Sequence, residues 1–315
     1  MTRIRIFFTT FIAVVFGCVT ALGTDAAEEK GRWTRGAPMP TQRSEVAVAE
    51  VGGKIYVVGG FAGQQELEIY DPIVDRWSRG AAIPHPLHHA VAVGWQDKLF
   101  VIGGYTDGWT PTASAYEYDP SADRWRPVAD MPTARGALAA AVLGGKIHAV
   151  GGVGRNGRNT SAHEAYDPAT DQWTSLAPVP TPRDHLAVAA MEGHLFAIGG
   201  RRDGSDARNL AVNEAYDPTN DRWEERASMP TARSGIAAAA LNGQIFVFGG
   251  EAPSETFSNV EAYDPGTNEW SVYARMPTAR HGLGAVVVGR SIYVIAGGPM
   301  PGASESAVNE AFSLD

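Results

Sequence analysis

Ile55-Tyr56-Val57-Val58-Gly59-Gly60, followed ten residues later by Tyr70-Asp71-Pro72 and then by Trp77, decides the fold, because the chain writes this order again and again. Glycine pairs stand at Gly59-Gly60, Gly103-Gly104, Gly151-Gly152, Gly199-Gly200, Gly249-Gly250 and Gly297-Gly298. Tryptophans stand at Trp33, Trp77, Trp125, Trp173, Trp223 and Trp270, spaced by 44, 48, 48, 50 and 47 residues. From each Trp to the first Gly of the next pair is 26 residues five times and then 27. Tyr70, Tyr118, Tyr166, Tyr216 and Tyr263 each precede a Trp by seven. A period of about 40 to 50 residues with this punctuation denotes a solenoid or a propeller.

Each repeat holds a run of small apolar residues (Val46 to Ala49, Leu138 to Val142), a Gly-rich turn, and an apolar run ending in the glycine pair. A variable loop, a strand ending in Tyr-Asp-Pro and a strand opening at Trp complete it. Four short strands without a helix signal make one antiparallel blade. Ala-rich Ile236 to Ala240 prefers helix in isolation, yet Val46-Ala47-Val48 and Val286-Val287-Val288 share its register and prefer strand. The last repeat reaches Phe312-Ser313-Leu314-Asp315 without a Trp strand, while Trp33 to Pro40 supplies one ahead of any complete blade. Placing that strand in the sixth blade closes the ring and removes an open edge. The expectation is all-β, a six-bladed propeller in one domain over 27–315.

The glycine pairs, the Tyr and Trp seven apart, and the Met-Pro-Thr-x-Arg segments at Met39, Met131, Met229 and Met276 resemble the Kelch-repeat β-propellers. The resemblance spans nearly all of the chain after its first thirty residues and implies that fold. Leu87 stands where the second repeat would carry Arg, Ala296 precedes the last glycine pair, and Phe312 replaces the last Tyr.

Composition bounds the rest. With 36 Gly and 20 Pro in 315 residues, the chain is richer in turn formers than average usage, and 44% hydrophobic with 19% charged residues fits a globular protein. A net charge of −9 argues against a general nucleic-acid or anionic-membrane binder. Arg3 and Arg5, the apolar run Ile6 to Gly17, and small residues at Ala21, Gly23, Ala26 and Ala27 read as a secretory signal peptide, residues 1–26. Export to the periplasm or outside is therefore expected, and no transmembrane segment. A lipidation box ending at Cys18 is fitted badly by Phe16. Without Cys18, the one cysteine, the exported chain has no thiol for a disulfide, a nucleophile or a copper site with a Tyr–Cys crosslink.

Function should lie where the repeats differ. From the second Gly of each pair to the next aromatic is 10, 14, 14, 16, 13 and 14 residues, so insertions gather in one loop, on the face that also carries the Met-Pro-Thr-x-Arg turns. Those turns supply Arg43, Arg135, Arg183, Arg233 and Arg280, and the loops supply Arg155, Arg158, Arg201, Arg202 and Arg208. A basic mouth is expected, with Phe61, Tyr105 and Trp109 placed to stack on a ligand. Glu45, Asp107, Asp203, Asp206, Glu251 and Glu255 dilute its charge, and a repeated Arg can also serve only to pair with a carboxylate. The opposite face collects acids, among them Asp71, Asp75, Asp119, Asp123, Asp171 and Asp221. In Kelch domains that bind acidic peptides, arginines at corresponding turns line the pocket, which is what the resemblance implies here.

Directly after the repeated Arg position come His88, Asp184 and His281 in alternate blades, a weak set for a metal; one residue later come Glu45, His89, Ala137, His185, Gly235 and Gly282. No cofactor is expected. Gly152-Val153-Gly154-Arg155-Asn156-Gly157 matches a dinucleotide fingerprint but precedes a strand, not a helix, and no P-loop, His-Glu-x-x-His or Gly-x-Ser-x-Gly is present. Three readings follow. The first is a monomeric, non-enzymatic module that holds an acidic peptide, protein loop or anionic glycan at the mouth. The second, similar to exported Kelch sialic acid mutarotases, is an isomerase of a sugar acid using Glu45, Asp184, His88, His185 and His281. The third is a purely structural propeller. Regular repeats without a compact catalytic signature favour the first.

Overall fold

The computed structural model describes Met1, residues 30–106 and residues 108–314. Apart from Met1, the expected signal peptide lies outside the described residues. Six four-stranded antiparallel sheets surround an axis. Blade 1 comprises Ala47–Val51, Lys54–Val58, Leu67–Asp71 and Arg76–Gly80, in order from the axis outward. Blades 2 to 5 repeat the arrangement, and blade 6 is Gly284–Val288, Ser291–Ile295, Asn309–Ser313 and Arg32–Arg35. The last pairing joins Trp33 to Phe312, so the first strand of the described residues closes the ring. Ala237–Leu241 is a strand despite its alanines, paired with Gln244–Phe248; at the innermost position only small side chains fit, and tertiary pairing overrides local propensity. Among the described residues no helix is long and apolar enough to cross a membrane.

The repeated aromatics lock neighbouring blades. In blade 3 the Tyr166 hydroxyl donates to Asp171 Oδ1 at 2.7 Å. The same oxygen accepts the N–H of Ala129 from the preceding connection at 2.8 Å, while Trp173 Nε1 donates to the Ala129 carbonyl at 2.8 Å. The clasp recurs with Asp75, Asp123 and Asp221, and with Asn268 in the fifth blade. Much of the acid on the underside is thus engaged in joining blades. Blade 6 has no turn between its third and fourth strands. There the Lys30 carbonyl takes the Ala274 N–H at 2.9 Å, and Trp33 Nε1 donates to Ala274 O. Among the described residues a backbone carbonyl stands at that place instead of a carboxylate, which fits Phe312 in place of a tyrosine.

The glycine pairs permit close approach between blades. Gly59 and Gly60 have φ of +62° and +91°, and a Cβ on either would come within 2.5 Å of a backbone oxygen, Leu87 O or Ser44 O. In blade 6 the structural pair is Ala296-Gly297, one residue earlier than the sequence suggests: Gly297 N donates to Arg43 O as Gly60 N does to Leu87 O. Ala296 holds the first position at φ +60° with its methyl in the apolar cluster of Met39 and Val46.

Candidate functional site

The five turn arginines are not at the mouth. Arg43, Arg135, Arg183, Arg233 and Arg280 have no exposed surface. Each guanidinium lies inside its blade against a glutamate of the third strand, Glu68, Glu164, Glu214, Glu261 or Glu310, at 2.5 to 2.8 Å. Each also donates to strand carbonyls, as Arg183 does to Ala197 O at 2.7 Å. The threonine of the same segment donates to the second carboxylate oxygen, for example Thr181 to Glu214 at 2.7 Å. Burial lowers the arginine pKa values, to about 10 for Arg135, which stays charged at neutral pH. Once desolvated, a cation is held by a paired carboxylate rather than offered to solvent. This corrects the expected pocket: these five are framework.

What lies at the mouth is a closed belt of backbone. Glu45 N donates to Gly282 O, His89 N to Glu45 O, Ala137 N to His89 O, His185 N to Ala137 O, Gly235 N to His185 O and Gly282 N to Gly235 O, all at 2.7 to 3.0 Å. All six residues have φ between +51° and +66°. One residue from every blade is therefore fixed in the left-handed region, and its side chain is aimed from a rigid ring. A small chamber of about 90 Å³ is lined by the belt residues and the residues that follow them, just ahead of the inner strands. The Ala- and Val-lined channel of the inner strands has about 580 Å³.

The belt brings charge together. Glu45, His89 and His185 place one ligand atom each within 4.8 Å of the others. His89 Nε2 lies 3.3 Å from Glu45 Oε2, and its Nδ1 is 2.6 Å from His88 Nδ1. Arg201 Nη2 lies 3.0 Å from His185 Nε2. A guanidinium has no acceptor, so that nitrogen accepts and Nδ1 carries the proton donated to Asp184 Oδ1 at 2.5 Å. Arg201 also donates to Asp184 and Glu251, at 3.2 and 2.7 Å. His281 donates Nδ1–H to Gly298 O and turns Nε2 to Glu45 and Glu251, both at 3.6 Å. Burial pushes the Asp184 carboxyl up, but His185, Asn159 and Arg201 together hold it below the usual range. Burial, reinforced by His185 and His88, holds His89 well below the usual imidazole value. The set His88, Asp184 and His281 does not converge on a point; the positions one residue later do.

Arg155, Arg158 and Arg202 are exposed on the long loops of blades 3 and 4, as expected, and Arg208 pairs with Asp203 at 2.5 Å. Trp109 is 57% exposed and stands edge-on to His88, with ring centroids 4.7 Å apart. Tyr105 is buried instead, against Gly136 and His88, and offers no open face. A cleft of about 640 Å³ runs beside Arg155 and is lined by Thr133, Asn156, Asn159, Thr160 and Ser161.

The family described as the KLHDC2/KLHL20/DRC7 Kelch-repeats domain matches residues 26–200 and 177–315. The chain belongs to this Kelch-repeat family. The solved structure titled "Structure of YjhT" is similar, with a TM-score of 0.77 and 16% identity over 86% of this chain and 95% of that one; at that identity the likeness speaks for the propeller fold. No curated protein matches the sequence. A Kelch propeller is a binding or structural module, and the one blade that departs from the pattern shows how its frame works. Where Leu87 replaces the Arg, Tyr116 occupies the register of the glutamate, opposite Val101 as Glu68 is opposite Val57. Leu87 and Tyr116 share an apolar cluster. Both members of the pair changed together. That joint change was visible in the sequence and identifies the third-strand glutamates, which the motif count alone passed over.

Proposed function

We propose that this Kelch propeller is an exported binding module whose ligand, an acidic peptide, protein loop or anionic glycan, docks on the mouth face. One observation carries the reading: the exposed arginines there that are not paired as Arg208 is with Asp203, namely Arg155, Arg158 and Arg202, rise from the variable loops of two neighbouring blades. Free guanidinium forks suit carboxylates, and the exposed Trp109 indole of the adjacent blade adds a stacking surface. The triple variant Arg155→Ala, Arg158→Ala, Arg202→Ala removes no buried contact and keeps the fold. A ligand at a hundred times its dissociation constant adds about 2.7 kcal/mol of stability. Thermal shifts with acidic peptides and acidic sugars are expected for the parent protein with one class and to need at least tenfold more ligand in the triple variant. Equal shifts in both refute the reading.

Two carboxylate–imidazole pairs, Glu45–His89 and Asp184–His185, with the two rings 5.0 Å apart, favour a second reading. It is an isomerase that exchanges the anomers of a sugar acid by acid–base catalysis. Under it, Glu45→Gln abolishes anomer exchange followed by NMR; an absence of exchange in the parent protein leaves the binding module alone.

A further inference from the structure

The geometry points to a transition-metal site at the belt, with Glu45, His89 and His185 as ligands and zinc as the ion whose preferences they meet. This does not rest on the reading of the rim, since none of the three belongs to it. Two imidazoles and a carboxylate are a set that zinc takes with a fourth position open. Around an ion with bonds of about 2.0–2.1 Å, tetrahedral ligand atoms sit about 3.3 Å apart. His89 Nε2 and Glu45 Oε2 already have that separation, 3.3 Å, and the His185 atom lies within 4.8 Å of both.

The surroundings are those of a metal centre. Ligating imidazoles are held through their second nitrogen. Here Asp184 grips His185 Nδ1 at 2.5 Å and is itself held by Asn159 Nδ2 at 2.5 Å, while His88 holds His89 Nδ1 at 2.6 Å. Three buried carboxylates, Glu45, Asp184 and Glu251, share one nearly buried guanidinium, Arg201, and the His281 imidazole, whose Nε2 stands 3.6 Å from Glu45 and Glu251. Buried charge demands compensation, and a divalent ion restores the balance. The ion takes the His185 Nε2 lone pair that Arg201 Nη2 occupies at 3.0 Å, so Arg201 loses that one hydrogen bond and keeps its contacts to Asp184 and Glu251. The 90 Å³ chamber lined by the same three residues has room for water at the open position.

Gly282 shows that the belt is shaped around the Glu45 carboxylate. Equivalent positions carry Glu45, His89, Ala137 and His185 at φ of +51° to +53°, so the left-handed backbone does not itself require glycine. A Cβ at Gly282 would lie 2.4 Å from Glu45 Oε1 and 2.9 Å from Glu45 N, so the carboxylate is its nearest obstacle and the belt backbone the next.

The protein stripped with EDTA is titrated with zinc by calorimetry and with cobalt(II) by visible absorption. One ion per chain is expected, with the intense absorption of tetrahedral cobalt. His89→Gln and His185→Gln are expected to weaken binding at least a hundredfold, and Asp184→Asn about tenfold, as outer partners of metal ligands do. Gly282→Ala keeps every ligand and, like Ala137, its backbone angle; it displaces the Glu45 carboxylate and is expected to weaken zinc at least tenfold. If a histidine variant fails to fold, Gly282→Ala decides. Lack of stoichiometric uptake by the stripped protein, or uptake unaltered in Gly282→Ala, overturns the site.

Discussion

Arg183 and Leu87 occupy the same place in two blades, and the contrast between them measures what a buried ion pair does here. Arg183→Ala leaves Glu214 buried without its cation, which costs about 3–5 kcal/mol. At about 2–4 °C per kcal/mol for a domain of this order, the melting temperature falls by about 10 °C. Replacing the pair by similar apolar volume is often neutral, and blade 2 already does so with Leu87 and Tyr116. The double variant Arg183→Leu, Glu214→Tyr is therefore expected to melt within a few degrees of the parent, as calorimetry of the three proteins would show. A double variant as unstable as the single one would mean that the pair, and not merely its neutralisation, holds the blade. For the same reason Arg183→Ala and Arg233→Ala report on folding rather than on ligand binding.

At the scale of the element, the fourth-strand turn is the working part. Asp171 sits at φ +55°, where Asp and Asn are the side chains best tolerated after glycine, and it accepts two hydrogen bonds from two different blades. Asp171→Ala loses both acceptors and places a methyl residue in the left-handed region, a loss of about 1 kcal/mol or more. Asp171→Asn should be nearly neutral, since Asn268 fills the same role in blade 5 with its Oδ1 2.8 Å from the Tyr263 hydroxyl. Urea midpoints of the two variants check this; an alanine variant as stable as the asparagine one would remove the clasp from the account. Phe312 follows from the same element, because blade 6 has a carbonyl where the others have a side chain.

At the scale of the whole molecule, one seam between blades contributes to the response to acid. His148 and His163 of blade 3 are buried against Tyr216 of blade 4, with His148 Nδ1 2.9 Å from His163 Nε2. Burial holds both imidazoles at a pKa of about 4. In the unfolded chain they titrate near about 6.5, so below that pH the unfolded state takes up protons that the folded state refuses. Stability is thus complete above pH 6.5 and falls as pH drops toward 4. Urea midpoints that stay level from pH 6.5 to 4.5 would contradict this. The number of blades, their four strands each and the closing role of the Trp33 strand are legible in the sequence, because packing between blades needs the same small and aromatic residues at every repeat and so prints a period; the short strand pairs within the variable loops, such as Arg201–Arg202 with Ser205–Asn209, are not. The sequence left Arg183 equally able to face a ligand or a glutamate, and for a metal it put forward His88, Asp184 and His281, whereas the side chains that converge are Glu45, His89 and His185. Only the tertiary structure decided these, since burial depends on the strand lying over a side chain, and convergence on the axis depends on a ring of hydrogen bonds between residues from all six blades.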